Sequence, residues 1–321
     1  MIVVTGAAGF IGSCIVSKLN EDGIKDLILV DCVRGDGKER NLEGKQYDHY
    51  LDKKDFLGQI QEEKLNEHIS CIIHMGACSS TILQDEQYFQ ENNFEYTRQL
   101  ALWAIKHNVR FIYASSAATY GDGSRGYSDA HETIECYRPL NLYGESKQKF
   151  DLWALKEGLL NKMVGLKFFN VFGPNEYHKG DMRSVVAKSY GDVVEQGRMA
   201  LFKSYREDYC DGEQKRDFIY VQDVVNVVSF FRNNPEINGL FNVGTGIART
   251  WNDLAKALFS AVGRETNIKY VEMPEILKTR YQYFTQAEMD KLKSVGYSIP
   301  FMTLEDSVAD YALYLKDHHY L

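Results

Sequence analysis

The chain has 321 residues, enough for one large α/β domain with a smaller domain appended to it. Asp and Glu total 45 against 37 Lys and Arg, and the net charge of −8 argues against a general nucleic-acid binder. No apolar run approaches the roughly 20 residues of a membrane span, and no basic-then-apolar secretory segment opens the chain. The six cysteines form no CxxC or Cys/His metal spacing, which predicts reduced thiols in the cytoplasm and no metal site.

Short apolar strands alternate with helical stretches along the first half of the chain. The pattern predicts strands over 2–4, 27–30, 71–74, 111–114 and 164–168, and helices over 10–19, 55–67, 88–107 and 143–159. Such alternation is typical of βαβ units. The predicted fold class is therefore α/β, with a Rossmann-type doubly wound parallel sheet.

The second half of the chain is less regular. A helix is predicted over 184–196, followed by a charged stretch over 203–216, and strands near 218–221 and 241–243 are apolar enough to rejoin the main sheet. We therefore predict a large domain made of residues 1–169 and 217–246. A smaller α/β domain, made of residues 170–216 and 247–321, would bind the substrate.

A glycine-rich turn, Gly6-x-x-Gly9-x-x-Gly12, follows the first strand and opens a helix. Glycines at this place permit a tight turn and let the backbone approach a pyrophosphate at the positive end of the helix. The turn predicts that the large domain binds a dinucleotide. Its spacing differs from G-x-G-x-x-G, so a glycine-rich turn without a ligand is the alternative.

The end of the second strand bears on the choice of cofactor. Asp31 lies nineteen residues beyond Gly12, where a carboxylate normally accepts hydrogen bonds from the adenosine ribose, and this favours NAD. Arg34, Lys38 and Arg40 follow, and cations there could hold a 2′-phosphate. These three could also form a solvated charged loop. We predict NADP, with NAD as the alternative.

Two further segments fit a cofactor site. Small residues, Gly76-Ala77-Cys78-Ser79, follow the strand over 71–74 and would let a cofactor lie against the backbone. Cys78 is predicted to pack rather than to react, because no His or Asp pattern marks it as a nucleophile. Asn92 and Asn93 lie in a helical stretch, which is unfavourable unless a side-chain amide bonds a specific partner.

Tyr143 and Lys147 are four residues apart, a spacing that places both side chains on one face of a helix. An ammonium beside a phenol favours the phenolate, so the pair suggests proton transfer from an alcohol. By itself the pair is also typical of a partly solvated helix face. Ser116 follows the strand over 111–114 and would place a hydroxyl at the carboxyl edge of the sheet.

Three motifs together resemble the extended short-chain dehydrogenase/reductase superfamily, and the resemblance covers about the first 250 residues. They are the glycine turn, the segment Ser115-Ser116-Ala117-Ala118-Thr119-Tyr120-Gly121, and the pair Tyr143 and Lys147. Ser116, Tyr143 and Lys147 would be the Ser, Tyr, Lys triad of that superfamily. Within that superfamily the chain resembles the ADP-L-glycero-D-manno-heptose 6-epimerase family over nearly its full length. The motifs that carry this resemblance are Met75-Gly76-Ala77-Cys78-Ser79-Ser80-Thr81, Phe169-Asn170-Val171-Phe172-Gly173-Pro174, His178-Lys179-Gly180, Lys215-Arg216-Asp217-Phe218 and Arg280-Tyr281-Gln282-Tyr283-Phe284-Thr285-Gln286-Ala287. Cys32, Met75 and Asp181 depart from the family pattern, and Asp181 bears on fine specificity.

The resemblance implies an NADP-dependent isomerase that converts ADP-D-glycero-β-D-manno-heptose to ADP-L-glycero-β-D-manno-heptose, in the synthesis of a lipopolysaccharide core precursor. The reaction would proceed by transient oxidation at C6″ and return of the hydride. Lys147 would bind the nicotinamide ribose and lower the pKa of Tyr143, while Ser116 would bond the substrate oxygen. Lys179 would be the second acid/base; without the resemblance it would be interpreted as a surface lysine.

The resemblance also implies two sets of binding residues and a homo-oligomer, such as a pentamer. Arg216 would bind the diphosphate, unless it forms an ion pair with Asp217 or Asp223. The implied cofactor-binding residues are Gly6, Gly9, Phe10, Ile11, Gly12, Asp31, Cys32, Lys38, Lys53, Met75, Gly76, Ala77, Cys78, Ser79, Asn92, Lys147, Val171 and Lys179. The implied substrate-binding residues are Ser116, Asn170, Asp181, Lys188, Phe202, Lys203, Ser204, Tyr205, Arg216 and Tyr281.

Four other functions are weighed against this one. A 4-epimerase, a 4,6-dehydratase or a reductase of the same superfamily would share the fold, but dehydratases typically carry Asp-Glu where Ala117 and Ala118 stand here. A non-catalytic cofactor sensor would keep the glycine turn and lose the triad. The retained Ser116, Tyr143 and Lys147 favour an enzyme.

Overall fold

The computed structural model describes residues 1–32, 37–65, 68–278 and 281–321. Arg34, one of the cations predicted near the cofactor, lies outside the described residues, as does Arg280 of the last family motif. Within these ranges no helix combines the length and apolar character needed to cross a membrane.

Twelve strands form three sheets in the described part of the chain. Seven of them build one parallel sheet in the order β10-β6-β5-β4-β1-β2-β3, which confirms the predicted Rossmann-type fold. The strands are β1 (Ile2–Thr5), β2 (Leu27–Asp31), β3 (His49–Asp52), β4 (Cys71–His74), β5 (Arg110–Ser116), β6 (Val164–Phe168), β7 (Asn170–Phe172), β8 (Met199–Phe202), β9 (Lys215–Tyr220), β10 (Gly239–Val243), β11 (Ala248–Thr250) and β12 (Ile268–Val271).

Helices connect these strands and cover both faces of the main sheet. A π-helical segment over Gln90–Glu95 joins α3 to α4 without a break. The helices are α1 (Phe10–Glu21), α2 (Lys53–Gln61), α3 (Glu86–Phe89), α4 (Tyr96–Lys106), α5 (Leu142–Lys156), α6 (Val185–Gln196), α7 (Val221–Asn233), α8 (Trp251–Ala261), α9 (Glu275–Lys278), α10 (Asp290–Ser294) and α11 (Leu304–Asp317).

Successive residues of each central strand point to opposite faces of the sheet, and this divides the core in two. Val4 of β1 packs in the cluster that contains α1 and α7, whereas Val3 packs in the cluster that contains α2, α4 and α5. A third cluster joins α6, α8 and α11 to β8 and β9. The main sheet is thus buried on both faces, as a parallel sheet requires.

One predicted strand joins a different sheet. β10 pairs with β6 and extends the main sheet, as predicted for residues 241–243. The strand predicted near 218–221 is β9, and it pairs with β7 and β11 in a separate three-stranded sheet. The prediction that it rejoins the main sheet was wrong, because buried apolar residues alone do not specify which strand is the neighbour.

Candidate active site

A cavity of about 860 Å³ runs along the carboxyl edge of the main sheet, where open α/β folds bind ligands. Its size is within the range of small-molecule and cofactor sites. The four predicted catalytic residues, Ser116, Tyr143, Lys147 and Lys179, all line it. So do all the predicted cofactor residues, which are Gly6, Gly9, Phe10, Ile11, Gly12, Asp31, Cys32, Lys38, Lys53, Met75, Gly76, Ala77, Cys78, Ser79, Asn92, Lys147, Val171 and Lys179.

The glycine turn forms one end of the cavity and is built in a way that only glycines allow. Gly6 has a φ of +65°, and a Cβ atom added there would lie 2.7 Å from backbone atoms of Gly76. A Cβ atom on Gly12 would lie 2.1 Å from the carbonyl oxygen of Gly6. The residue that precedes α1 is Gly9, which has no side chain to cap the first amides of the helix. This end of the cavity therefore fits a phosphate group of a dinucleotide.

Asp31 and Lys38 form a buried ion pair in the cavity wall, with 2.8 Å between Nζ and Oδ1. The same carboxylate accepts hydrogen bonds from the amides of Ala8 (2.9 Å) and Cys32 (2.7 Å). Lys38 is thus not part of a solvated loop, whereas the Arg40 side chain is two-thirds exposed and lies outside the cavity lining. A carboxylate and a cation therefore stand together where the sequence predicts the adenosine ribose.

Asn93 connects two parts of the site through hydrogen bonds: the segment Gly76–Ser79 and helix α5, which carries Tyr143. Its amide brackets Cys78, since Oδ1 accepts a hydrogen bond from the Cys78 amide at 2.8 Å and Nδ2 donates to the Cys78 carbonyl at 2.9 Å. Nδ2 also donates to Ser146 Oγ, and Ser146 Oγ donates to the carbonyl of Tyr143 at 2.7 Å. These bonds are the specific partner that an Asn within a helix requires. The π-helical segment presents Asn93 to both elements.

Lys147 is buried and donates a hydrogen bond to the Ala114 carbonyl, with 2.8 Å between the atoms. Burial lowers the pKa of Lys147 to about 8, and the negative charge of Asp151 opposes that effect. The ammonium is therefore directed into the end of β5 in this structure, close to Ser116.

The pKa of Tyr143 is shifted in the direction opposite to the one predicted. Burial raises the pKa of Tyr143, and a hydrogen bond with the Ser116 hydroxyl lowers it in part. In this structure the Lys147 ammonium bonds the Ala114 carbonyl, and that Lys147 lowers the pKa of Tyr143 stays a prediction. The phenol is accordingly protonated at neutral pH and can donate a proton.

Lys179 lies in a 3₁₀ segment, Tyr177–Met182, on a different element of the cavity wall from Tyr143. Its ammonium sits over the Phe10 ring at 5.1 Å from the ring centroid. Burial lowers the pKa of Lys179, and Glu176 opposes that effect. This lysine is half-buried at the site rather than free on the surface. A lowered pKa increases the fraction of neutral amine that can accept a proton.

The predicted substrate residues divide into two groups. Ser116 and Asn170 line the cavity, and Asn170 faces Thr285, another lining residue. The others lie outside the cavity lining, and these are Asp181, Lys188, Phe202, Lys203, Ser204, Tyr205, Arg216 and Tyr281.

Arg216 is the centre of an aromatic cluster next to the cavity. Its guanidinium carbon lies 5.0 Å from the Tyr281 ring centroid and 5.7 Å from that of Trp251. The two carboxylates considered as partners are used elsewhere: Asp217 accepts hydrogen bonds from three backbone amides, and Asp223 accepts one from Met302. Arg216 is therefore a buried cation held by aromatic faces, an arrangement that suits an anionic ligand.

The contacts of the remaining predicted substrate residues are mostly with one another or with exposed side chains. Tyr205 bonds the Tyr283 hydroxyl through its amide at 3.0 Å, and Tyr283 packs edge-on against Tyr281. Lys203 pairs with Glu272 at 2.6 Å. Lys188 donates to the carbonyl of Asp181 at 3.3 Å, and both side chains are exposed.

Several lining residues were missed as site residues. Gln282 and Thr285 line the cavity and connect it to the Arg216 cluster, and both lie in a motif that carried the family resemblance. His178 and Met182 flank Lys179 in the same wall. Nothing in the sequence pattern distinguishes Tyr88 and Tyr96, which also line the cavity, from core aromatic residues.

Chemically, the site joins an acid and a potential base to a dinucleotide-shaped cavity. Tyr143 with Ser116 can bond an oxygen that gains or loses a proton, and Lys179 offers an amine from another element of the wall. This combination is suited to the interconversion of an alcohol and a ketone.

Comparisons with known proteins agree with this geometry. The profile of the NAD dependent epimerase/dehydratase family matches residues 2–244. An ADP-L-glycero-D-manno-heptose-6-epimerase of Nitratidesulfovibrio vulgaris (strain DP4) is 51% identical over 311 residues, which cover 97% of this chain and 96% of that protein. A protein of the same name from Fusobacterium nucleatum is 46% identical over 97% of this chain and 96% of its own length. The crystal structure of the Helicobacter pylori ADP-L-glycero-D-manno-heptose-6-epimerase superposes with a TM-score of 0.82 at 27% identity, over 98% of this chain and 96% of that one. The chain therefore belongs to the NAD dependent epimerase/dehydratase family and, within it, to the ADP-L-glycero-D-manno-heptose-6-epimerase family.

Proposed function

We propose that this protein interconverts the C6″ epimers of an ADP-heptose, ADP-D-glycero-β-D-manno-heptose and ADP-L-glycero-β-D-manno-heptose, with NADP as its bound cofactor. The observation that carries the proposal is the convergence of Ser116, Tyr143, Lys147 and Lys179 on one dinucleotide-shaped cavity. Relatives that bear this activity in their name match the chain over nearly its whole length.

The nicotinamide cofactor would supply hydride acceptance and return at the reacting carbon. Ser116 and Tyr143 would bond the C6″ oxygen, and the Tyr143 phenol would exchange a proton with it as the alcohol and ketone interconvert. Lys147 would hold the nicotinamide ribose and stabilise the phenolate whenever Tyr143 has given up its proton. Inversion of the carbon needs proton transfer at a second face, and Lys179 would provide it; its position in the cavity wall and its lowered pKa support this role.

The choice of NADP rests on Lys38, whose ammonium lies in the cavity wall beside Asp31. A cation at this position can bond a 2′-phosphate. Asp31 already bonds two backbone amides and Lys38, which reduces its capacity to accept from the ribose hydroxyls of NAD.

The ADP half of the substrate would bind at the Arg216 cluster. The Arg216 guanidinium can donate two hydrogen bonds to a diphosphate. The rings of Tyr281 and Trp251 pack against the guanidinium and hold it in place. Gln282 and Thr285 link this cluster to the cavity, so a nucleotide sugar could reach from Arg216 to Tyr143.

The decisive experiment offers the purified protein each of the two ADP-heptose epimers and follows the product by NMR. We expect either epimer to yield the same mixture, with no net change of absorbance at the nicotinamide band, because hydride is returned to the sugar. Steady consumption of NADPH would instead identify a reductase, and loss of water from the sugar would identify a dehydratase.

We also expect the protein to act in the cytoplasm as a homo-oligomer, such as a pentamer, as the family resemblance implies. Light scattering of the purified protein measures the subunit number directly, and a monomer would contradict this expectation.

A further inference from the structure

Asp151 of α5 and Lys167 of β6 form an ion pair in the core, with 2.7 Å between Nζ and Oδ2 and no exposed surface on either side chain. Removing two charges from water is costly, and replacing a buried pair by apolar residues is often neutral or stabilising. The pair is therefore a poor device for stability alone. Both side chains bond residues close to Ser116, which is predicted to contact the substrate, and this position points to another role.

The ion pair bonds one residue before Ser116 in the sequence, Ser115, and one after it, Thr119. Asp151 Oδ2 accepts a hydrogen bond from Ser115 Oγ at 2.7 Å. Lys167 Nζ donates to Thr119 Oγ1 at 2.7 Å, and this hydroxyl donates to the Ser116 carbonyl at 2.8 Å. Ser115 and Lys167 are also directly opposite each other in the ladder of β5 and β6. The residues before and after Ser116 are thus fixed by one ion pair.

The same carboxylate acts on Lys147, which precedes Asp151 by one helical turn. The negative charge of Asp151 raises the pKa of Lys147 against the larger effect of burial. The other titratable groups that face Lys147 are Cys78 and His74, from the fourth strand and its loop. His74 is neutral near pH 7, because burial lowers its pKa to about 3. Asp151 is therefore the main support for the charge of this lysine.

Resting on the function proposed above, we propose that Asp151 and Lys167 are positioning residues. Together they fix the segment that carries Ser116, and the carboxylate maintains the positive charge of the catalytic lysine. Neither side chain lines the cavity, so both act through other residues.

The first test replaces both partners, in D151N/K167M, so that no uncompensated charge remains in the core. We expect a folded protein whose kcat is about tenfold to a hundredfold lower, because small displacements of catalytic groups have effects of this order. The single variant K167R keeps both the Asp151 carboxylate and a cation at position 167, and it should retain most of the wild-type kcat. Full wild-type kcat in the folded double variant would overturn the proposal.

The second test measures the charge of Lys147. In D151N/K167M the alkaline limb of the kcat/KM profile should move to lower pH, and NMR of ¹³Cε-labelled lysine should report a lower pKa for Lys147, assigned with K147M. The matched control is D223N, which alters a buried carboxylate of α7 outside the cavity lining and should leave both readouts unchanged. The proposal is overturned if D151N/K167M leaves them unchanged or if D223N shifts them equally. If wild-type protein fails to epimerise ADP-heptose, the proposed function fails, while the NMR titration still tests the pair.

Discussion

The Nζ atom of Lys147 donates a hydrogen bond to the Ala114 carbonyl, at 2.8 Å, from a buried position in the cavity wall. Because burial lowers the pKa of Lys147 to about 8, the ammonium is present below that pH and is lost as pH rises through it. We expect kcat/KM to fall above about pH 8, measured over about pH 6 to pH 10. K147R keeps its charge over this range and should lack that limb; the same limb in K147R would assign it to another group.

Tyr143→Phe should reduce kcat by roughly a hundredfold to ten-thousandfold, because it deletes the proton that the phenol transfers. The substitution removes one oxygen and little packing, so NADP affinity and the melting temperature should stay near those of the wild type. Stopped-flow turnover and calorimetric titration of NADP measure the two quantities. Wild-type turnover in this variant would reject the role of Tyr143.

Lys179→Met should lower kcat by roughly a hundredfold or more if inversion uses two acid/base groups. Lys162 is an exposed loop lysine outside the cavity lining, and K162M provides the matched control with the same change of charge. Epimerisation is followed by NMR of the sugar. A near-normal rate for K179M would indicate that one group serves both faces.

The sequence predicted much of the cavity lining because several of the segments involved lie at the ends of strands. In a parallel sheet these strand ends meet at one edge, so Gly6, Asp31, Gly76 and Ser116 had to come together once the strands were recognised. The prediction needed neither side-chain contacts nor the order of the strands.

The substrate half and the electrostatics could not be predicted in the same way. Arg216 is surrounded by Trp251 and Tyr281, which are distant in sequence and follow no periodic pattern. Burial raises the pKa of Tyr143, and the spacing of four residues specifies neither that burial nor where the Lys147 ammonium is directed. The domain boundaries and the individual binding roles stay predictions.

Lys38→Met should weaken NADP binding about tenfold to a hundredfold and affect NAD much less, because hydrogen bonds to charged groups contribute about 1.5–3 kcal/mol. Arg40 lies two residues beyond Lys38 but outside the cavity lining, so R40M is the control and should change neither affinity. Calorimetric titration of both cofactors measures the preference. Tighter binding of NAD than of NADP by the wild type would mean that Asp31 outweighs Lys38.

Arg216→Met should weaken the binding of ADP, used as the probe, by roughly a hundredfold, since it removes charge-assisted hydrogen bonds to the diphosphate. Arg249 lies directly opposite Arg216 in the ladder of β11 and β9, but pairs with Glu305 at 2.6 Å. R249M therefore removes a neighbouring cation that is already neutralised, and it should bind ADP as the wild type does. Equal losses in both variants would show that general positive charge, rather than Arg216, attracts the nucleotide.

Gly12→Ala should destabilise the protein by about 1–3 kcal/mol, because overpacking displaces the backbone, and should weaken NADP binding. The added Cβ would lie 2.1 Å from the Gly6 carbonyl oxygen, so the glycine turn must move away from the phosphate site. Gly58 is also a helical glycine, and a Cβ there meets no atom within 4 Å. G58A should therefore stabilise the protein by about 0.5–1 kcal/mol and leave the cofactor bound. Urea unfolding and NADP titration of the two variants measure both effects, and equal behaviour would show that the close approach of Gly12 to Gly6 does not shape the site.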